Sequence, residues 1–143
     1  MKTQPTIFDY DTEKVISWVI KQGWSLNLRG RRNEADHFSK KININYQTRG
    51  NKLLYTLLHE AGHLIIRNNI VKFMSRYQGI TAALVNDKKA NHSNFKVDTL
   101  KEEFDAWRLG EELAKNLGIE LDSKAYNKFG NKSLMSYIKW ANK

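Results

Sequence analysis

The chain contains no cysteine among its 143 residues. This excludes a disulfide framework and any thiolate metal centre, so a transition-metal site would have to use histidine and carboxylate. Proline occurs once and glycine eight times, which leaves no low-complexity linker, and no internal repeat is visible. Long apolar runs are also lacking. Residues 1–14 carry no apolar leader core, and no later run reaches the length of a membrane span. The expected location is the cytoplasm, away from membranes.

Acidic residues are scarcer than basic ones: 24 Lys and Arg face 15 Asp and Glu, for a formal charge of +9. Such an excess suits a nucleic-acid or acidic protein partner, or serves only solubility. The cationic runs are Arg29, Arg31 and Arg32, then Lys40 and Lys41, then Lys88 and Lys89. Aromatics do not interleave with them as a base-stacking surface requires, so a solvated surface is expected. With 41% apolar and 11% aromatic residues, the chain can fold a core. Residues 1–143 are expected to form a single domain.

Hydrophobic spacing predicts a helix over 11–22, where Val15, Ile16, Trp18, Val19 and Ile20 recur and Gly23 stops the run. Two strands follow, Trp24–Leu28 and Lys41–Tyr46, flanking polar turn material at Gly30–Asn33. In the second, Ile42, Ile44 and Tyr46 face one way and Asn43 and Asn45 the other, which reads as a half-buried edge strand. Residues 51–69 read as one helix. Residues 76–96 read as loop with a short helix near Ala82–Val85. A helix from Leu100 to Leu117 ends at Gly118, and two short helices, 123–128 and 132–141, break at Gly130-Asn131. The class is α+β, mostly helical, with a small antiparallel sheet.

His59-Glu60-Ala61-Gly62-His63 carries the chemistry. Histidines four apart on a helix project from one side, where their nitrogens can share a tetrahedral ion at about 2.0–2.1 Å. The glutamate between them points off the ligand line but toward the same cleft, about 100° away per residue. There it can accept a proton from metal-bound water, whose pKa zinc lowers to about 7. With four histidines in the chain, chance yields this spacing in about 0.6% of such sequences. Leu54, Leu57, Leu58, Ala61 and Ile65 form an apolar stripe nearly opposite the two histidines. A pair of core histidines would sit inside that stripe.

Two histidines need a third ligand, and His92, Asp98, Glu102, Glu103 and Asp105 lie downstream. Thr99-Leu100-Lys101-Glu102 fits a capping box, which gives Glu102 a local role and leaves Glu103 free. Glu103 shares a face with Ala106, Trp107 and Gly110, and the two small residues would let this helix approach the motif helix closely. Glu103 is therefore the expected third ligand. The bland alternative makes Glu102 and Glu103 ordinary first-turn acids favoured by the helix dipole. Asp105 is either an acceptor behind a ligand histidine or a surface acid. Phe104 and Trp107 read as core. Tyr77, His92, Tyr126 and Tyr137 are candidate donors to a tetrahedral oxyanion, and the sequence does not rank them.

Leu57-Leu58-His59-Glu60-Ala61-Gly62-His63, followed by Glu103-Phe104-Asp105-Ala106-Trp107, resembles the ImmA/IrrE-like metallopeptidases over roughly residues 40–117. In that family a later E-x-x-A glutamate completes an HExxH site. Where its members often carry asparagine after the alanine, this chain has Trp107. The resemblance implies a zincin-like domain of the gluzincin kind. It implies zinc ligands His59, His63 and Glu103, with Glu60 as catalytic base. It also implies a cleft bordered by the strand Lys41–Tyr46, which could pair with an extended substrate. The substrate class it implies is a regulatory protein of bacteria, phages or mobile elements. Two functions follow as expectations: a zinc-dependent peptidase acting on an intracellular protein or peptide, or a non-enzymatic basic module that binds nucleic acid or protein around a structural zinc.

Overall fold

The computed structural model describes residues 9–85 and 92–143, and of His92 only the backbone. Helix α1 spans Tyr10–Lys21 and is capped by Asp9, whose carboxylate accepts from the Thr12 N–H at 2.8 Å. It ends at Gly23, whose φ of +83° is one that glycine adopts without strain. Val15 and Val19 on its inner face are fully buried.

Three strands follow, β1 (Ser25–Gly30), β2 (Glu34–Asp36) and β3 (Lys41–Asn45), in the spatial order β1-β3-β2. β1 pairs with β3 in parallel, and β2 pairs with β3 antiparallel. The sheet is therefore mixed, not antiparallel, and β3 is its central strand, not an edge. The chain runs out along β1, returns along β2, and then inserts β3 between them. Alternation does orient β3 as expected over its length: Ile42 and Ile44 are fully buried, while Tyr46, just beyond it, is exposed. On the other face, the Asn27 amide donates to Asn43 at 3.1 Å and the Asn43 amide donates to Glu34 at 3.1 Å, tying all three strands together. Arg29, Arg31, Arg32, Lys40 and Lys41 are exposed, as expected, whereas Lys88 and Lys89 lie outside the described residues.

Helix α2 (Asn51–Asn68) runs through the middle of the molecule, and every residue from Leu54 to Gly62 is buried. Two short helices follow, α3 (Ile70–Arg76) and α4 (Gln78–Val85), the second starting four residues before the short helix expected near Ala82–Val85. Phe73, Tyr77 and Ile80 from this region bury themselves in a second core cluster with Ile66 and Ala106. Tertiary burial thus overrides the glycine and the polar residues.

Helix α5 (His92–Asn116) begins eight residues before the expected start. Thr99 is consequently no N-cap, and its hydroxyl donates to the Phe95 carbonyl at 2.8 Å within the helix. Helix α6 (Ser123–Ala141) is continuous through Gly130, where a break was expected. A Cβ there would lie 2.9 Å from the Trp107 ring, so this glycine serves packing.

Helices α2 and α5 run antiparallel in very close contact. A Cβ on Gly62 would fall 2.0 Å from the Ala106 carbonyl oxygen, and one on Gly110 would fall 2.5 Å from that of Leu58. Small residues at both crossings set the approach, as the spacing of Ala106 and Gly110 predicts. No helix among the described residues is long and apolar enough to cross a membrane.

Candidate metal centre

His59, Glu60 and His63 sit on α2 where α5 crosses it. One ligand atom of each lies within 4.8 Å of the others, a group that could hold a metal ion. Contrary to the amphipathic expectation, this face of α2 is also covered: His59 is 7% exposed and Glu60 4%. The polar line of the helix forms the floor of a cleft, not a solvated surface.

Glu103 of α5 bridges the two histidines. Its Oε2 atom accepts from His63 Nε2 at 2.6 Å and from His59 Nε2 at 3.2 Å. Both imidazoles of the motif therefore present the same nitrogen to one carboxylate oxygen. The Glu60 carboxylate lies beside His59, 3.5 Å from Nδ1, and lines the same cleft. Ligands at about 2.0–2.1 Å around a tetrahedral ion are about 3.4 Å apart. The two Nε2–Oε2 separations, 2.6 and 3.2 Å, are shorter than that spacing.

Glu102, assigned by the sequence to a cap, instead accepts from His63 Nδ1 at 2.7 Å and from Arg67 at 2.7 and 3.0 Å. Asp105, one candidate for that place behind a ligand histidine, points away from it. It accepts from the Tyr77 hydroxyl and from Arg76 Nε at 2.9 Å, on the other face of α5. Asp98 accepts from the Gly79 N–H, also away from the two histidines. The His92 side chain lies outside the described residues. Of the residues that sequence reasoning missed, Arg67 carried a signal: His59, His63 and Arg67 recur every fourth residue, a polar line along an otherwise buried helix.

The electrostatics follow from this packing. Burial by itself would strip the proton from His63, but bonds to Glu102 and Glu103 outweigh it and hold the imidazolium well above its usual range. His59 is raised too, with burial opposed by the Glu60 charge and the Glu103 bond. Burial would push Glu103 up, yet His59 and His63 hold its carboxyl well below the usual carboxylate range. Glu102 is likewise lowered, by His63 and Arg67.

Trp107 stacks on the His59 ring with centroids 4.1 Å apart and an interplanar angle of 6°. It is core, as expected, but it also lines the cleft. Its indole Nε1 is the one buried side-chain polar atom among the described residues that has no hydrogen-bond partner. Phe104, expected in the core, is half exposed.

The cleft above the donors has a volume of about 670 Å³. Asn33, Glu34 and Ala35 at edge strand β2 wall one side, and Phe129, Lys132, Ser133 and Tyr137 of α6 line it as well. The strand beside the cleft is thus β2, not the Lys41–Tyr46 strand. Of the candidate oxyanion donors, Tyr77 is spent on Asp105, and Tyr126 donates to the Trp107 carbonyl at 2.6 Å. Tyr137 faces the cleft. Burial, then the charge of Glu103 and a hydrogen bond to that carboxylate, raise its phenol.

No family model, no curated protein and no solved structure matches this chain.

Proposed function

We propose that this protein is a zinc-dependent peptidase of the ImmA/IrrE-like kind, in which His59, His63 and Glu103 hold the ion and Glu60 is the general base. The observation that carries the reading is the convergence of both motif Nε2 atoms on the single oxygen Glu103 Oε2. Two imidazoles and a carboxylate are a donor set that suits zinc. An ion bound there supplies Lewis acidity, polarising a peptide carbonyl and lowering the pKa of water to about 7.

The chain's own groups do the rest. Glu60, buried at the cleft floor, accepts a proton from the attacking water and returns it to the leaving amine nitrogen. Tyr137 donates a hydrogen bond to the oxygen that gains charge. Trp107 and the α2–α5 contact hold His59 in place and keep bulk water from its far side. The substrate class is a protein or peptide, and we assign the activity to an intracellular regulatory protein in the cytoplasm. The alternative of a basic binding module with a structural zinc fits less well, since a structural site closes its coordination with protein ligands. The centre described above opens onto a cleft large enough for a peptide segment.

The deciding experiment is Glu60→Gln. Zinc stoichiometry of one per chain is expected to persist while hydrolysis of a denatured protein substrate falls by at least about a hundredfold. Cleavage retained at the wild-type rate would overturn the assignment of Glu60. Wild-type protein that takes up no zinc would overturn the metal centre itself.

A further inference from the structure

His63 is gripped at both ring nitrogens by consecutive residues of α5. Neighbouring side chains on a helix diverge by about 100°, so Glu103 can reach Nε2 while Glu102 reaches around to Nδ1. The Nδ1 contact is 2.7 Å, and Glu102 is 4% exposed. A carboxylate buried that deeply is costly unless its oxygens are paired. The pairing comes from Arg67, whose Nε donates to Oε2 at 3.0 Å and whose Nη2 donates to Oε1 at 2.7 Å. Arg67 is itself fixed, with its guanidinium carbon 4.2 Å from the Phe73 ring centroid and its backbone one turn beyond His63 on α2. At His59 the Nδ1 neighbour is the adjacent Glu60, 3.5 Å away with no arginine behind it, and the ring stacks on Trp107.

We infer that Arg67 and Glu102 form a positioning pair for His63, acting through its Nδ1–H to fix the tautomer and aim Nε2 at the ion. The inference rests on the metal-centre reading above and deepens it. A carboxylate accepting from Nδ1–H leaves Nε2 as the metal-facing nitrogen and makes it a better donor. Charge balance gives the arginine its purpose. Glu60, Glu102 and Glu103 bring three buried or nearly buried negative charges to one place. A divalent ion and Arg67 neutralise them together, whereas the ion alone would leave one negative charge over. Glu102 and Arg67 touch neither substrate nor reacting atoms and are positioning residues.

The test uses the full chain and zinc affinity measured by competition with a chromophoric chelator. Glu102→Gln is expected to weaken zinc binding about 10–100-fold at unchanged stoichiometry. Arg67→Met is expected to weaken it less. The double variant is expected to be no worse than Glu102→Gln, because arginine acts only through the glutamate. Additive losses that track thermal stability would mean a merely structural role and overturn the inference.

A wild-type measurement keeps the idea testable should a variant misfold. In nitrogen-15 histidine spectra of the zinc-loaded protein, His63 must show a slowly exchanging Nδ1–H. Nδ1 found metal-bound or unprotonated would sink the proposal. Zinc affinity and spectrum unchanged in folded Glu102→Gln would do the same while leaving the metal centre standing. No zinc uptake by the wild type would instead remove the reading on which the pair depends, and the pair with it.

Discussion

Replacing Gly62 with alanine puts a methyl group 2.0 Å from the Ala106 carbonyl oxygen, 2.7 Å from its carbon and 2.9 Å from its Cα. Carbon and carbonyl oxygen settle no closer than about 3.3 Å, so α2 and α5 must part locally by more than about 1 Å. The obstacle is backbone, and no side-chain rotation relieves it. In an ordinary helix interior the same change gains about 1 kcal/mol, because alanine is the better helix former. Overpacking costs about 1–3 kcal/mol and rises when backbone must shift, so the two effects oppose and the clash is expected to win.

The separation falls directly on the metal centre. Glu103 sits one turn before Ala106 on α5, and its 2.6 Å contact to His63 spans the gap that opens. We expect Gly62→Ala to lose about 1–2 kcal/mol of stability, or about 3–6 °C in Tm for a domain of this size. Zinc affinity is expected to fall at least about tenfold, equivalent to about 1.4 kcal/mol. Thermal melts of the apo and zinc-loaded variant, with a chelator competition, measure both. His63→Ala serves as the comparison, since it removes a proposed ligand without forcing the helices apart. A Gly62→Ala protein more stable than wild type, with undiminished zinc affinity, would refute the argument.

Three further outcomes follow from the same geometry. Asp105→Asn is expected to cost about 1–3 kcal/mol by unpairing Arg76 and Tyr77, yet to leave zinc affinity unchanged, because that cluster lies on the other face of α5. A tenfold loss of affinity there would restore Asp105 to the metal centre. Trp107→Phe removes a buried N–H that has no partner, offsetting part of the lost packing, so stability is expected to change by less than about 1.5 kcal/mol. Trp107→Ala is expected to lose about 3–5 kcal/mol, and equal losses in both variants, read from urea melts, would contradict this account. Finally, burial disfavours the charged forms of His59 and His63, but the surrounding carboxylates outweigh it and raise both. In the proposed centre zinc displaces a proton from each Nε2, so its log affinity is expected to climb by about two per pH unit until the raised pKa values are passed. An affinity independent of pH through neutrality, by calorimetry in matched buffers, would show that these nitrogens are not the ligands.

Local pattern was enough for some of this protein. His59, Glu60 and His63 could be read as a metal-binding group because a spacing of four on a helix fixes which side chains share a side, whatever surrounds them. The limits of α1 and α2 were legible to within a residue or so, and at the end of α1 the signal was Gly23, whose positive φ glycine adopts without strain. The small residues Ala106 and Gly110 announced a close helix crossing for a similar reason, because absence of side-chain bulk is a property of the sequence.

Other features were decided only when the elements met. Alternation told which face of β3 is buried but not that β3 lies between β1 and β2, because strand order is set by pairing across the sheet. A threonine followed three residues on by glutamate looked like a helix start, but packing of α4 against the N-terminal part of α5 extends that helix back to His92. That one shift released Glu102 from a cap and delivered it to His63. Asp105 was the candidate acceptor behind a ligand histidine, and Glu102, three residues earlier, was assigned to a cap. Which of them stands behind the imidazole was settled by Arg67 and Tyr77, two residues from different parts of the chain that claim opposite faces of α5. Charge partners of this kind come from distant sequence, and only the tertiary arrangement brings them within a hydrogen bond of each other.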